Sequence, residues 1–100
     1  TWVACASAVF YLGGIPVLVD VDPGILCMSV ASAEKAITSR TKGILLVHLH
    51  CRLGEIPRFV RLARRRHLFL IEDCSQSHGA EWRGRRAGTF GDIGIFSMHQ

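Results

Sequence analysis

The chain alternates between short apolar runs and longer segments with helical spacing. The short runs are rich in β-branched residues and almost uninterrupted, which is typical of strands buried on both faces. They predict four strands, at residues 15–21, 43–50, 67–73 and 93–98. Buried strands separated by helices favour the α/β class, with a three-layer α/β/α arrangement around a mostly parallel sheet.

Three helices are predicted around these strands. The first covers residues 2–12, is apolar throughout and stops at Gly13 and Gly14, so we expect it to be buried. Ser29 can cap the second helix, and Pro57 suits the first turn of the third. Apolar residues recur at helical spacing in these two helices: Val30, Ala33 and Ile37, then Ile56, Phe59, Val60 and Ala63.

A hairpin is predicted at residues 81–88. Its turn falls at Arg83 and Gly84, where glycine can adopt the positive φ that a tight turn needs. We expect this hairpin to be exposed.

The composition indicates a chain that shares its apolar surface with other parts of a protein. Of the 100 residues, 49% are hydrophobic, which is more than so short a domain buries by itself. We therefore expect residues 1–100 to be one continuous part of a larger α/β domain. No apolar run is long enough to span a bilayer and no export signal precedes the apolar start, so a cytoplasmic protein is expected. The four cysteines form no C-x-x-C pair, which favours reduced thiols that are mostly small core residues.

The formal charge of +4 raises the question of nucleic-acid binding. Five of the twelve basic residues lie in the third predicted helix, between its apolar positions: Arg58, Arg61, Arg64, Arg65 and Arg66. This pattern is typical of a solvated basic helix face. No stacking aromatic residues or reader motif accompany the arginines, so the sequence disfavours a nucleic-acid partner.

Polar residues gather directly behind the third predicted strand, in the sequence IEDCSQSHGA. Open α/β sheets bind ligands beyond the carboxyl ends of their strands, where Asp73 and Ser97 would meet. Asp73 is suited to hold a proton on a heterocyclic nitrogen, Gln76 to hydrogen-bond a second ring substituent, and Ser97 to donate to a phosphate. These residues alone leave open that Asp73 only caps the following turn and that Ser97 is an ordinary strand residue.

Several stretches in series resemble the middle of the DegT/StrS family of sugar aminotransferases: TWVACASAV, PVLVDVDP, AITSRTKGILLVHLH, IEDCSQSHGA and WRGRRAGTFGDIGIFSMHQ. The resemblance covers essentially the whole chain. It implies pyridoxal 5'-phosphate as the cofactor and the aspartate aminotransferase fold, also called fold type I. It also implies that residues 1–100 are the central part of the large cofactor-binding domain, without its N-terminal segment, its catalytic-lysine segment or the small C-terminal domain.

The same resemblance implies roles for four residues. Asp73 would pair with the pyridinium nitrogen, Gln76 would contact the 3'-oxygen of the cofactor, Ser97 would bind its phosphate, and Trp2 would stack on its ring. The Schiff-base lysine of the family follows the serine and would lie beyond Gln100. No catalytic residue is therefore expected within the chain, and residues 1–100 alone are not expected to be active. His78 is a candidate rim contact, and Glu72 receives no role.

Within the family, the motifs look most like aminotransferases that move the amino group of glutamine onto a keto-cyclitol, scyllo-inosose or 2-deoxy-scyllo-inosose, in aminoglycoside antibiotic biosynthesis. Relatives that act on nucleotide-linked keto-sugars, or that make aminohydroxybenzoate, share most of these motifs and stay open. Glutamate also stays open as the donor. The family further implies a homodimer. Some members lack the lysine and act as dehydratases or as non-enzymatic cofactor-binding regulators, which residues 1–100 do not decide.

Two other kinds of site compete with this interpretation. His48 and His50 alternate on a predicted strand, with Cys51 adjacent and His78 within possible reach, but two ligands at this spacing make only half a zinc site. One core histidine and one at a pocket rim is the commoner arrangement. Asp20 or Asp22 closes a strand as a ribose-binding acid does, although the glycine-rich turn that dinucleotide folds require does not precede it.

Overall fold

A computed structural model describes residues 3–99 of the chain. Three helices and five strands follow one another along the described residues. In chain order they are α1 (Val3–Tyr11), α2 (Val30–Ala36), β1 (Gly43–Val47), α3 (Ile56–Arg66), β2 (Phe69–Asp73), β3 (Glu81–Trp82), β4 (Arg85–Arg86) and β5 (Ile93–Ile95).

Strands β1, β2 and β5 form a parallel sheet in the order β1-β2-β5. In its register, Val47 of β1 lies opposite Asp73 of β2, and Asp73 lies opposite Ile95 of β5. All three strands therefore run in one direction and end at one edge, which we call the carboxyl edge. This confirms the predicted α/β class with a parallel sheet.

Helices α2 and α3 cover one face of this sheet. Alternate residues of β1 and β2 point towards them and are buried, as the two-residue period of a strand requires. The resulting core joins both helices to both strands and consists of Val30, Ala33, Ile44, Leu46, Phe59, Leu62, Ala63 and Leu70. The arginines of α3 lie on its other side and are exposed, which confirms the solvated basic face.

The ends of α2 and α3 follow the local rules that their sequences suggest. The Ser29 hydroxyl accepts a hydrogen bond from the Ser32 N–H at 3.3 Å and caps α2, as predicted. Pro57 lies in the first turn of α3, where its missing N–H costs nothing. That helix ends at His67, whose φ of 54° lies in the left-handed region.

The predicted hairpin is confirmed. Strands β3 and β4 pair in antiparallel register, Glu81 with Arg86 and Trp82 with Arg85. Arg83 and Gly84 have φ values of 51° and 76°. Two consecutive positive φ angles are what a two-residue turn of the I′ type needs.

Two predictions about residues 2–21 are wrong in part. Residues 15–21 form no strand, because within residues 3–99 their only ladder contact is a single antiparallel bridge from Val21 to Met28. An apolar segment becomes a strand only where a neighbour takes its backbone hydrogen bonds, and Leu18 stays 86% exposed. Helix α1 forms as predicted, but none of its described side chains is buried.

No helix in the described part of the chain is both long and apolar enough to cross a lipid bilayer.

Candidate functional site

Asp73 and Ser97 lie at the carboxyl edge of two adjacent parallel strands. Asp73 is the last residue of β2, and Ser97 follows the end of β5 by two residues. The register sets Asp73 opposite Ile95, and the Cys74 N–H donates to the Ile95 carbonyl at 2.8 Å. The edge where the sequence predicted a ligand site therefore carries both residues.

The Asp73 carboxylate is held by two neighbours. Its Oδ1 accepts a hydrogen bond from the Ser75 N–H at 2.9 Å, and its Oδ2 accepts one from the Cys5 thiol of α1 at 3.2 Å. Burial acts to raise the pKa of Asp73, but the hydrogen bonds from Ser75 and Cys5 outweigh it and leave the pKa below its ordinary value. Asp73 is thus an oriented, ionised carboxylate, and the Ser75 contact shows that it also caps the following turn.

Gln76 ties the turn after β2 to the turn after β1. Its Oε1 accepts from the His50 N–H at 3.3 Å, and its backbone carbonyl accepts from the Cys51 N–H at 2.9 Å. His50 and Cys51 both have positive φ, 51° and 58°, a conformation that non-glycine residues hold only when their surroundings impose it. Because Oε1 is engaged, the amide NH₂ of Gln76 is the group left to donate to a ligand oxygen.

Ser97 and His78 lie close to the end of β5. The Ser97 hydroxyl oxygen accepts from the His99 N–H at 3.1 Å, so its own proton is available to an acceptor. The His78 ring is exposed and lies 5.5 Å from the ring of Phe96, the neighbour of Ser97. Its role as a rim contact stays a prediction. Trp2 lies outside the described residues, and its predicted stacking role stays a prediction as well.

The cysteines depart from the predicted core role at two positions. Cys27 and Cys74 are buried as expected, whereas Cys51 is exposed and Cys5 is half-buried against Asp73. Burial and then the hydrogen bond to Asp73 raise the pKa of the Cys5 thiol, so it is a neutral donor to the carboxylate. The contact joins α1 to the carboxyl edge, and no sequence pattern predicts it.

Glu72 is the residue at this edge that the sequence did not interpret. It is fully buried and accepts hydrogen bonds from the His48 ring and from three backbone N–H groups, those of Gly88, Phe90 and Gly91. Burial acts to raise the pKa of Glu72, but these hydrogen bonds outweigh it and lower the pKa to about 2. One signal did exist in the sequence: in FLIED, Glu72 shares the inward face with Leu70, and an acid at an inward position needs partners.

The competing metal site is not supported by this geometry. His48 is buried, whereas His50 is exposed, because β1 ends at Val47 and the chain turns before His50. Ligand atoms of His48, Glu72 and Cys74 do lie within 4.8 Å of one another. The His48 and Glu72 atoms are engaged in hydrogen bonds, however, and burial together with the Glu72 charge raises the pKa of the Cys74 thiol to about 11.

The competing dinucleotide site is not supported either. The Asp22 carboxylate Oδ1 accepts from the backbone N–H groups of Gly24 and Ile25, at 2.8 and 3.3 Å. It therefore holds the turn that follows residues 15–21, which is a structural use of the acid.

The known proteins that are similar to this chain are aminotransferases. A curated L-glutamine:2-deoxy-scyllo-inosose aminotransferase from Streptomyces kanamyceticus is 47% identical over 100 residues, which are 100% of this chain and 23% of that protein. A UDP-N-acetyl-3-dehydro-alpha-D-glucosamine 3-aminotransferase from Acidithiobacillus ferrooxidans is 47% identical over 98% of this chain and 27% of its own length. The chain thus spans about a quarter of the length of these relatives.

The fold and the family follow from two further comparisons. The crystal structure of an aminotransferase from Psychrobacter cryohalolentis superimposes with a TM-score of 0.93 at 38% identity, covering 96% of this chain and 24% of that one. The model of the DegT/DnrJ/EryC1/StrS aminotransferase family matches residues 1–100. The chain therefore belongs to the DegT/DnrJ/EryC1/StrS aminotransferase family.

Proposed function

We propose that these residues are the central part of the large domain of a pyridoxal 5'-phosphate-dependent aminotransferase. The observation that carries the proposal is the ionised Asp73 carboxylate at the carboxyl edge, where Gln76 lies in the turn after β2 and Ser97 follows the adjacent strand β5. The exposed apolar segment that includes Leu12 and Leu18 supports a larger domain, because an isolated domain rarely leaves so much apolar surface in water.

The groups at this edge fit the cofactor chemically. A carboxylate suits a pyridinium nitrogen, an amide NH₂ suits the 3'-oxygen, and a hydroxyl with a free proton suits a phosphate. When bound, pyridoxal phosphate supplies an electron sink for the carbanion that forms as a substrate amine loses its α-proton. Asp73 would hold the ring nitrogen protonated, Gln76 and Ser97 would fix the ring and the phosphate, and Trp2 would cover the ring face.

The transfer itself needs groups beyond these four. We assign no catalytic residue within the chain, because a lysine that binds the cofactor covalently would have to come from another segment. A homodimer, which the family resemblance implies, and a cytoplasmic location are part of the same proposal.

A keto-cyclitol is the acceptor that we favour, with glutamine as the donor. The name of the Streptomyces kanamyceticus relative supports it. A nucleotide-linked keto-sugar is the second candidate, supported by the equal identity of the Acidithiobacillus ferrooxidans relative.

Direct assay of amino transfer tests the proposal. The complete enzyme, loaded with pyridoxal phosphate, is incubated with glutamine and either 2-deoxy-scyllo-inosose or a UDP-linked 3-keto-sugar, and the amine product is detected by mass spectrometry. We expect an aminated cyclitol and, as the second product, the keto acid that glutamine becomes when it gives up its α-amino group; matched reactions with glutamate in place of glutamine compare the two donors. Amination of the UDP-sugar alone would select the second candidate, and no amination of either acceptor would contradict the proposal.

A further inference from the structure

Among the described residues, the Glu72 carboxylate accepts four hydrogen bonds and lies next to the residues that we propose bind the cofactor. Glu72 has no exposed surface, and both of its carboxylate oxygens accept two hydrogen bonds. Oε1 accepts from the N–H groups of Phe90 and Gly91, each at 2.7 Å. Oε2 accepts from the Gly88 N–H at 2.9 Å and from His48 Nε2 at 3.0 Å. A buried carboxylate held by this many donors has little freedom to move.

His48 extends this contact to a third part of the chain. Its Nε2–H donates to Glu72, and its Nδ1 accepts from the Gly54 N–H at 3.1 Å. Because a backbone N–H can only donate, Nδ1 must carry a lone pair, and the ring is the neutral tautomer with its proton on Nε2. The pair therefore links β2 to the segment after β1 and to the loop that begins α3.

The chain at residues 88–91 is shaped around the same carboxylate. A Cβ on Gly91 would collide with the carbonyl oxygen of Leu70, so only glycine lets this backbone approach β2 closely enough. Asp92 then pairs twice with Leu70: its N–H donates to the Leu70 carbonyl at 2.7 Å, and its Oδ2 accepts from the Leu70 N–H at 2.8 Å. Strand β5 starts at the next residue and leads to Ser97.

The hydrogen bonds of Glu72 lie next to the carboxyl edge because side chains alternate along a strand. Glu72 points to the helix-covered face, and its neighbour Asp73 points to the opposite face. Asp73 ends β2 and Gln76 lies in the turn after it, whereas Ser97 follows β5. The distance from Asp73 and Gln76 to Ser97 therefore depends on the position of β5 relative to β2. The segment that leads into β5 is bound to β2 through Glu72.

We propose that Glu72 and His48 are positioning residues that fix the distance between the ring-binding groups, Asp73 and Gln76, and the phosphate-binding Ser97. This inference rests on the proposed function, because it needs pyridoxal phosphate as the molecule that spans the two groups. A ligand that touches both groups gains from their fixed spacing, since no ordering is required when it binds. A ligand that touches only one group gains nothing from it.

The test compares two ligands of the complete enzyme, pyridoxal 5'-phosphate and pyridoxal, in wild type and in Glu72→Gln. The glutamine NH₂ would face the Gly88 N–H and the His48 ring, so two of the four hydrogen bonds are lost. We expect the Kd for pyridoxal phosphate to rise roughly 10- to 100-fold and the Kd for pyridoxal to change less than about threefold. The matched control is Glu34→Gln, which removes an exposed carboxylate paired with Arg65 and should change neither Kd.

Two variants of His48 keep the test decisive if Glu72→Gln does not fold. His48→Leu removes the donor and the acceptor, whereas His48→Gln retains one of each and should restore most of the affinity for pyridoxal phosphate. Far-UV circular dichroism at the assay temperature confirms that each variant is folded. A general loss of structure would weaken both ligands alike and would not be relieved by the glutamine.

The outcomes separate the inference from the proposed function. A wild-type enzyme that binds no pyridoxal phosphate contradicts the proposed function and the inference together. If wild type binds it and the folded Glu72→Gln and His48→Leu variants bind it equally well, only the inference fails. Equal losses for pyridoxal and pyridoxal phosphate would also overturn it, because the spacing of two groups does not affect a ligand that touches one.

Discussion

Two consecutive acids, Glu72 and Asp73, serve different purposes because a strand alternates its side chains between two faces. Glu72 points inward, is saturated by donors and organises the backbone. Asp73 points to the other face, keeps its charge half-exposed and is the carboxylate that we propose binds the cofactor. One dipeptide therefore supplies both the support and the proposed contact.

The depressed pKa of Glu72 predicts a specific loss of stability in acid. A carboxylate with a pKa of about 2 in the folded state and an ordinary value of 4.5 unfolded stabilises the protein fully above pH 4.5. That contribution, on the order of a few kcal/mol, is lost as the pH falls from about 4.5 to about 2. Urea unfolding of the complete enzyme and of Glu72→Gln should show a free-energy difference that shrinks over this range. A difference that stays constant between neutral pH and pH 3 would contradict the assigned role.

The position of Asp73 and Ser97 at the carboxyl edge could be predicted from the sequence. Asp73 ends a strongly apolar strand and Ser97 follows another, so the two residues lie at one edge if the sheet is parallel. The network of Glu72 could not be predicted, since three of its four donors are backbone N–H groups of residues 88–91. Backbone donors carry no side-chain signature, and their direction depends on how the chain folds back.

At the scale of elements, the success of a prediction depended on where the partners of each element lie. Helices α2 and α3 and strands β1, β2 and β5 find their partners within residues 28–96, and all were predicted within a few residues of their bounds. The prediction of a strand at residues 15–21 was wrong, because an apolar run indicates only that a segment favours burial. Strand pairing depends on two segments, and the sequence of one segment does not show whether the other is present.

The segment between β4 and β5 gives a prediction at this scale. Gly91→Ala should destabilise the complete enzyme by about 3 kcal/mol, because the added methyl group collides with Leu70 and displaces the N–H that binds Glu72. Gly79→Ala is the control: it changes a glycine in the turn before β3, with a φ of 75° but open space around its Cβ, and should cost roughly 1–2 kcal/mol. Thermal or urea unfolding measures both. Equal effects would show that residues 88–91 do not pack as tightly as described.

At the scale of the whole molecule, the sheet has one covered face and one that is largely open within residues 3–99. The covered face supplies the hydrophobic core, and the open face carries Asp73 and the α1 contact through Cys5. The high apolar content of the sequence predicted exposed or shared surface, and Leu12, at 90% exposure, confirms it. Stability is thus concentrated on the helix side, while the proposed ligand contacts lie at the carboxyl edge, supported by Glu72 and His48.

The absorption spectrum of the complete enzyme, before and after glutamine is added, is the sharpest test of the proposed cofactor site. We expect a yellow protein whose visible band bleaches when glutamine is added. An Asp73→Ala variant should retain colour but bleach at least about 100-fold more slowly, because the ring nitrogen has lost its proton-holding partner. A colourless protein that takes up no pyridoxal phosphate would overturn the proposed function, and an Asp73→Ala variant that bleaches at the wild-type rate would overturn the role assigned to Asp73.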